Sequence, residues 1–423
     1  MNYNYLESVL ETLEQQNNPS LGADLLKHYC NFNNVDLNVL NRLAELYYKA
    51  KRFEESKDIL WTIYNFTKQP ENLTNLLLTA IKGNFPQETI QVANIMIDNG
   101  CKVDQAKMYK GVALSFIGQD KEAKKLLEEV NINNLETPSD KLTYNYNVGW
   151  YLLKENKFRK GFEYYIKDGK HDNLKELLYP TPHFEKFEKG KTVLLMGEQG
   201  AGDEIIGARF GKVAKEHGMN VIFCTHHGLQ DVLKRTPGID RVITPKELGS
   251  VFFDCYVPAM RSGWYFGLDE TNLWQGPYIF PSSEYIEKNK LSEKGFKIGI
   301  RWQGNPHFED DKQRRVVNFE QLAELAKVEG NVVYSLQRDY GVRDCSGTGV
   351  IDLKDKIQTW EDTAAIISQL DLVVTSCTSI AHLAGAMGVK TIIKSPKSCY
   401  LTWCSKEASK SFWYGDSLNV EMV

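Results

Sequence analysis

The chain has 423 residues, 42% of them hydrophobic and 25% charged, with a formal net charge of −4. That length exceeds one hydrophobic core, so two or three domains are expected. The near-neutral charge gives no electrostatic reason to expect nucleic acid or an anionic membrane as partner.

No run of about eighteen apolar residues is present, so no membrane span is expected. The N-terminus Met1-Asn-Tyr-Asn-Tyr-Leu-Glu7 lacks the basic and apolar regions of a secretory signal. Eight scattered cysteines form no C-x-x-C pair, which argues for reduced thiols and a cytoplasmic location.

The front of the chain reads as helical hairpins. Four segments share an amphipathic helix, a short polar turn and a second helix, with the turns at Phe53, Phe85, Asp120 and Phe158. Those turns recur about 32 to 38 residues apart, near the tetratricopeptide period. A small residue sits at one offset before three turns (Ala44, Gly111, Gly149), where paired helices need to approach closely, and Leu76 stands there in the second repeat. A generic helical bundle is the plainer alternative. Residues 1–175 are read as the repeat domain and 176–190, with Pro180, Pro182 and Gly190, as a linker.

Beyond the linker the periodicity changes. Apolar, β-branched runs are expected as strands at 192–196, 220–224, 241–244, 254–257, 297–301, 331–336, 371–375 and 390–394, with helices at 204–217, 318–327 and 359–370 between them. Strands alternating with helices predict parallel sheets. The strand-poor stretch 260–294 divides them into two doubly wound lobes, 191–290 and 291–423, with ligands expected at the carboxyl ends of the strands.

The first strand runs into Gly197-Glu-Gln-Gly200-Ala-Gly202-Asp203, a turn that lets a ligand approach backbone N–H groups. It is neither a P-loop, since Asp203 stands where the lysine belongs, nor a dinucleotide fingerprint, since Ile205 replaces the third glycine. The second strand also ends in Thr225-His226 rather than an acidic ribose ligand. Asp203 is open to two readings: a helix N-cap, or a general base at the mouth of a cleft.

The stretch Gly197–Glu204 with Ile205 and Arg209 resembles the first motif of tetratricopeptide-containing glycosyltransferases related to the ADP-heptose transferases of glycosyltransferase family 9. Further motifs follow in order: Ile298–His307, Tyr334-Ser-Leu-Gln337, Asp362–Ala365, Leu370–Val374 and Thr378–Gly388. The resemblance implies a GT-B pair of Rossmann-like lobes behind the repeats, the acceptor on the first lobe and the nucleotide sugar on the second. The implied reaction is inverting transfer of a sugar to a hydroxyl, without a metal or other cofactor.

The resemblance places Asp203 as the catalytic base and Thr378, Ser379 and His382 on the donor diphosphate. Thr378 and Ser379 read equally as a helix cap, and His382 as a core histidine. Arg301 suits phosphate, Gln303, Asn305 and Gln337 are further donor contacts, and Gly197, Gly200 and Gly202 form the glycine-rich loop. Arg314 and Arg315 are candidates of the same kind, and Trp302 is read as packing. Glu309-Asp310-Asp311 and His226-His227 are poor metal sites, the first in a polar loop and the second with adjacent side chains facing opposite ways. Cys377 stands where many such enzymes have an aspartate, and little chain follows Tyr414 for a tail helix. The acceptor class, whether glycan, lipid or protein, stays open. The alternative is a non-catalytic scaffold, with a protein or peptide partner in the repeat groove and a degenerate α/β half.

Overall fold

The computed structural model describes residues 3–167, 172–306, 317–395, 400–403 and 409–422. Contacts divide the chain into two compact units, Met1–Tyr144 and Asn145–Val423. The expected border near residue 175 therefore lies inside the second unit.

The first unit is helical: α1 (Tyr3–Gln15), α2 (Pro19–Phe32), α3 (Leu37–Lys49), α4 (Phe53–Thr67), α5 (Leu73–Lys82), α6 (Pro86–Asp98), α7 (Val103–Phe116), α8 (Asp120–Glu128) and the start of α9 (Pro138–Lys154). From α1 to α8 each helix packs on its sequence neighbours. The hairpins owe their shape to one repeated turn. Asn17, Lys51, Asn84, Gly118 and Asn156 are all left-handed, with φ between 55 and 78°. The next residue's N–H reaches back five residues each time, as in Asn18 to Leu13 (2.8 Å), Arg52 to Tyr47 (2.8 Å) and Gln119 to Leu114 (2.9 Å). This closes the helix C-terminus and aims the chain into the next helix. Asn17 adds a first hairpin, α1–α2, ahead of the four expected from sequence. At Gly111 an added Cβ would lie 3.1 Å from the Ala123 carbonyl, so the small residue does mark a close helix approach. Inside this unit the buried Asp140 carboxylate is satisfied by Gln105, Tyr109 and Thr137.

The second unit begins with the rest of α9, then α10 (Phe158–Tyr165) and α11 (Asp172–Leu177). A Cβ on Gly149 would lie 2.9 Å from the Tyr165 nitrogen, so α9 and α10 touch backbone to backbone. Phe158, Phe162 and Tyr165 are buried in the same core as the strands that follow. Nor is the expected linker loose where it nears the sheet. Phe184 N–H donates to the Tyr256 carbonyl (2.8 Å), Tyr256 N–H to that of Pro182 (3.2 Å), and the Phe184 ring packs 5.0 Å from Phe266.

Two parallel sheets follow. The first has β1 (Thr192–Met196), β2 (Asn220–Cys224), β3 (Arg241–Ile243) and β4 (Cys255–Pro258) in the order β3-β2-β1-β4. The second has β5 (Phe296–Arg301), β6 (Asn331–Ser335), β7 (Ile351–Asp352), β8 (Leu372–Ser376), β9 (Thr391–Ser395) and β10 (Leu418–Met422) in the order β10-β9-β8-β5-β6-β7. The pairings between these strands are parallel, and strand order reverses beside β1 and beside β5. At such points crossover helices leave on opposite faces and open a crevice at the strand carboxyl ends.

The helices used below are α12 (Ala201–Ala208), α13 (Gly211–Glu216), α14 (Gln230–Leu233), α15 (Ser262–Tyr265), α16 (Ser283–Lys288), α17 (Phe319–Ala323), α18 (Trp360–Ile367) and α19 (Ser379–Ala386). The single helix expected over 204–217 is two, α12 and α13, broken where Arg209 turns its side chain into the core. A Cβ on Gly207 would meet the Ala259 methyl at 2.7 Å, which holds α12 against the chain after β4. Strands β7 and β10 were not expected. β7 is two residues long, and β10 continues the sheet beyond β9 from a short terminal run.

Candidate functional site

The glycine-rich turn follows β1. A Cβ on Gly197 would lie 2.6 Å from the Cys224 carbonyl and 2.7 Å from Glu204 Oε1, so only glycine lets the strand turn here. Glu198 is buried; it accepts the Met260 N–H at 2.6 Å and pairs with the buried Arg261 guanidinium. Gln199 is left-handed (φ 53°), a conformation costing about 1 kcal/mol or more outside glycine. Its amide donates to the Tyr165 hydroxyl at 3.1 Å.

Asp203 is not the N-cap of α12. Gly200 caps the helix, and Asp203, in its first turn, reaches back so that Oδ2 accepts the Gly200 N–H at 3.1 Å. Its Oδ1 accepts the hydroxyl of Tyr400, a chain segment beyond the second sheet's β9. Burial, and then the Asp203 charge, push the Tyr400 phenol well above its ordinary pKa. Beside Asp203, Glu204 is fully buried and gathers three groups from the end of β2: the Thr225 hydroxyl, the His226 N–H (2.8 Å) and His227 Nδ1 (3.0 Å). The Glu204 hydrogen bond outweighs the burial of His227 and raises its pKa, with the Asp203 charge adding to the rise.

On the second lobe, Thr378 is the extended N-cap residue of α19. Its hydroxyl lies 3.3 Å from that of Thr375 and makes no capping bond, while Ser379 is the first helical residue. Cys377 Sγ accepts the Trp403 indole N–H at 3.0 Å, so the thiol serves an aromatic neighbour where an aspartate was expected. Arg301, at the end of β5, is buried; it donates to the Leu336 carbonyl (3.3 Å) and to Asp339 (2.9 Å). Burial lowers its pKa. Its Nε and the hydroxyl of Ser376, at the end of the adjacent β8, are buried without a hydrogen-bond partner among the described residues.

The remaining expected contacts separate. Gln337 is buried and spends its whole amide on backbone: Oε1 accepts the N–H groups of Trp302 and Gln303 (3.2 Å each), and Nε2 donates to the Gln303 and Tyr340 carbonyls. It fastens two loops together. Gln303 is half-buried under Gly341, and Asn305 is exposed. Trp302 packs 4.6 Å from Phe319. His307, Glu309–Asp311, Arg314 and Arg315 lie outside the described residues. Among the described residues no group of three or more His, Cys, Asp and Glu side chains gathers into a metal-holding cluster.

The two lobes meet at this site. A Cβ on Gly202 would lie 2.7 Å from His382 Cδ2, so α12 and α19 pack with only a hydrogen between them. His382 is buried, its Nδ1 2.8 Å from the Tyr414 hydroxyl and its ring 4.2 Å from that of Trp403. The expected set thus converges in part: the glycines and Asp203 on one side, Thr378, Ser379 and His382 on the other, with Arg301 one strand away. Sequence reasoning missed Tyr400, Trp403 and Tyr414. The aromatic clusters 400–403 and 412–414 were the available signal.

No family model matches the chain, and no curated protein matches it. Among solved structures it is similar to a glycosyl transferase family 9 protein from Veillonella parvula DSM 2008, at 13% identity and a TM-score of 0.44, over 56% of this chain and 88% of that one. It is also similar to the E. coli ADP-heptose LPS heptosyltransferase II, at 14% identity and a TM-score of 0.40, over 54% of this chain and 90% of that one. A mutant of the Thermobaculum terrenum O-GlcNAc transferase matches across 86% of this chain and 83% of its own, at 13% identity and a TM-score of 0.32. Likenesses this distant assign the chain to no family.

Proposed function

We propose that this protein is a GT-B glycosyltransferase that moves a sugar from a nucleotide-sugar donor to a hydroxyl acceptor, with inversion and without a metal ion. The observation that carries the proposal is the pair of buried groups without a partner among the described residues, Arg301 Nε and Ser376 Oγ, on paired strands where strand order reverses. They stand beside the N-terminus of α19, whose free N–H groups suit the same charge. A guanidinium N–H, a hydroxyl and a helix N-terminus at one crevice fit a diphosphate leaving group.

In that reaction the acceptor oxygen attacks the anomeric carbon and loses its proton to a base on the first lobe. The bond from the anomeric carbon to the diphosphate oxygen breaks, and its electron pair leaves on the diphosphate. The resemblance nominates Asp203 as the base. Thr378, Ser379 and His382 belong to the donor side, and the helical hairpins, read as tetratricopeptide-like, select the acceptor. The free cysteines among the described residues suit a reducing, cytoplasmic compartment.

The test is calorimetric titration with UDP, GDP and ADP, followed by turnover of the matching sugars. Micromolar binding that Arg301→Met weakens tenfold or more supports the proposal. Absence of binding by all three nucleotides, with no donor turned over, overturns it. The second reading, a non-catalytic scaffold, draws on one observation: the Tyr400 hydroxyl already occupies Asp203. Under that reading the same titrations are flat, and residues of the helical hairpins hold a peptide.

A further inference from the structure

The engagement of Asp203 directs attention to its neighbours. One carboxylate oxygen of Asp203 holds the glycine turn through the Gly200 N–H, and the other holds Tyr400. An acceptor hydroxyl that approaches this carboxylate meets two oxygens already engaged in holding the site together. Next to it in α12, Glu204 carries no such burden toward the second lobe. Its buried carboxylate faces the end of β2, where it accepts from Thr225, from the His226 backbone and from His227.

Such an arrangement defines a histidine's chemistry. A buried carboxylate at 3.0 Å from Nδ1 dictates that Nδ1 carries the hydrogen, which leaves the lone pair on Nε2. Among the described residues nothing bonds Nε2, and the His227 side chain is 37% exposed against 0% for Glu204. The ring is therefore anchored at one nitrogen and open to solvent at the other. Its backbone is held as well. The loop after β2 lies beside the glycine turn, since Gly197 N–H donates to the Cys224 carbonyl at 2.8 Å. From the second lobe, the Trp360 indole at the start of α18 donates to the His227 carbonyl at 2.9 Å. His227 thus stands between the lobes, at the carboxyl ends of the first sheet, on the side that the glycosyl-transfer reading gives to the acceptor.

We infer that His227, oriented by Glu204, is the general base of this site, and that Asp203 is a positioning residue. The inference rests on the glycosyl-transfer reading and revises only its proton acceptor. The acceptor's O–H proton goes to His227 Nε2 as the oxygen attacks the anomeric carbon, and the electron pair of the broken bond leaves on the diphosphate. The imidazolium that forms is stabilised by the Glu204 carboxylate, and the proton then passes to solvent.

The charged groups that face His227 are Glu204 and Asp203, both on α12, while from α18 it meets the neutral Trp360 indole. Both carboxylates favour the protonated ring. Activity should therefore rise with pH through a single limb that belongs to His227, and Glu204→Gln should move that limb to lower pH.

The test compares His227→Asn, Asp203→Asn and Glu204→Gln with the wild type in donor affinity and in turnover across pH 5 to 9. Asparagine keeps a donor for Glu204 but offers no basic nitrogen. The expected result is a loss in kcat on the order of 10²- to 10⁴-fold for His227→Asn. Its donor Kd should stay within about twofold of wild type, and its acid limb should disappear. Asp203→Asn should retain the limb. Two outcomes overturn the inference alone: wild-type turnover by His227→Asn, or disappearance of the limb in Asp203→Asn. A wild-type protein that neither binds nor turns over any sugar nucleotide overturns the glycosyl-transfer reading, and the inference falls with it.

Discussion

Arg209 donates to the main-chain carbonyl of Trp413 at 2.6 Å, across 204 residues of sequence. Its guanidinium also reaches the carbonyls of Ile206 and Trp274 and the hydroxyl of Tyr278, and it lies over the rings of Tyr278, Trp413 and Tyr414. No carboxylate pairs with it among the described residues. A buried cation is tolerated here because carbonyl dipoles and ring faces replace its hydration. Arg209→Ala removes these bonds and leaves carbonyls unpartnered, so a loss of about 3 kcal/mol is expected in urea unfolding. Arg209→Lys keeps the charge but not the fork, and should recover less than half of that loss.

The contact of Gly202 with His382 yields a sharper prediction. An added methyl at 2.7 Å from a ring carbon forces α12 and α19 apart. Gly202→Ala should cost about 1–3 kcal/mol. Replacing His382 by alanine in the same chain removes the obstacle, so the double variant should be more stable than the two single costs predict. A double-mutant cycle that comes out additive would contradict this packing.

Asp362 supplies the pH prediction. Burial raises its pKa, but hydrogen bonds from Lys288, Asn289, Thr359 and the Gln358 backbone outweigh it and lower the carboxyl to about 2. A carboxyl lowered on folding contributes stability that is complete above its unfolded value and is lost as pH falls through the folded one. Between pH 4 and 2 the protein should therefore lose stability on the order of 1 kcal/mol through this group. Asp362→Asn should flatten that part of the stability profile and lower its plateau.

Gln337 separates a fastening role from a donor contact. Its amide is consumed by four main-chain groups of two loops. Gln337→Ala should cost about 2–3 kcal/mol in stability, because it strands buried N–H and C=O groups. Nucleotide diphosphate affinity, measured below the melting temperature, should stay within about twofold. A tenfold loss of affinity without loss of stability would return Gln337 to the donor side.

Local chemistry determined much of this protein. The eight expected strands are all present, each within one residue at both ends, because apolar β-branched runs between turn residues have few other stable outcomes. The hairpin turns were legible from composition, since Lys51-Arg-Phe53 and Gly83-Asn-Phe85 interrupt helical periodicity. So was the glycine turn, where three glycines follow a buried strand. What a residue does once two lobes meet was not legible. Asp203 reads as a cap or as a base, but its partner Tyr400 lies 197 residues away. His226-His227 reads only as a poor metal site until Glu204 is found buried beside it. Gln337 reads as a donor contact until its four backbone partners are seen. Periodicity and turn chemistry act over a few residues and are written in the order of the chain. The partners of a buried polar group are chosen by which strands and helices come to lie side by side, and that was decided only by the tertiary structure.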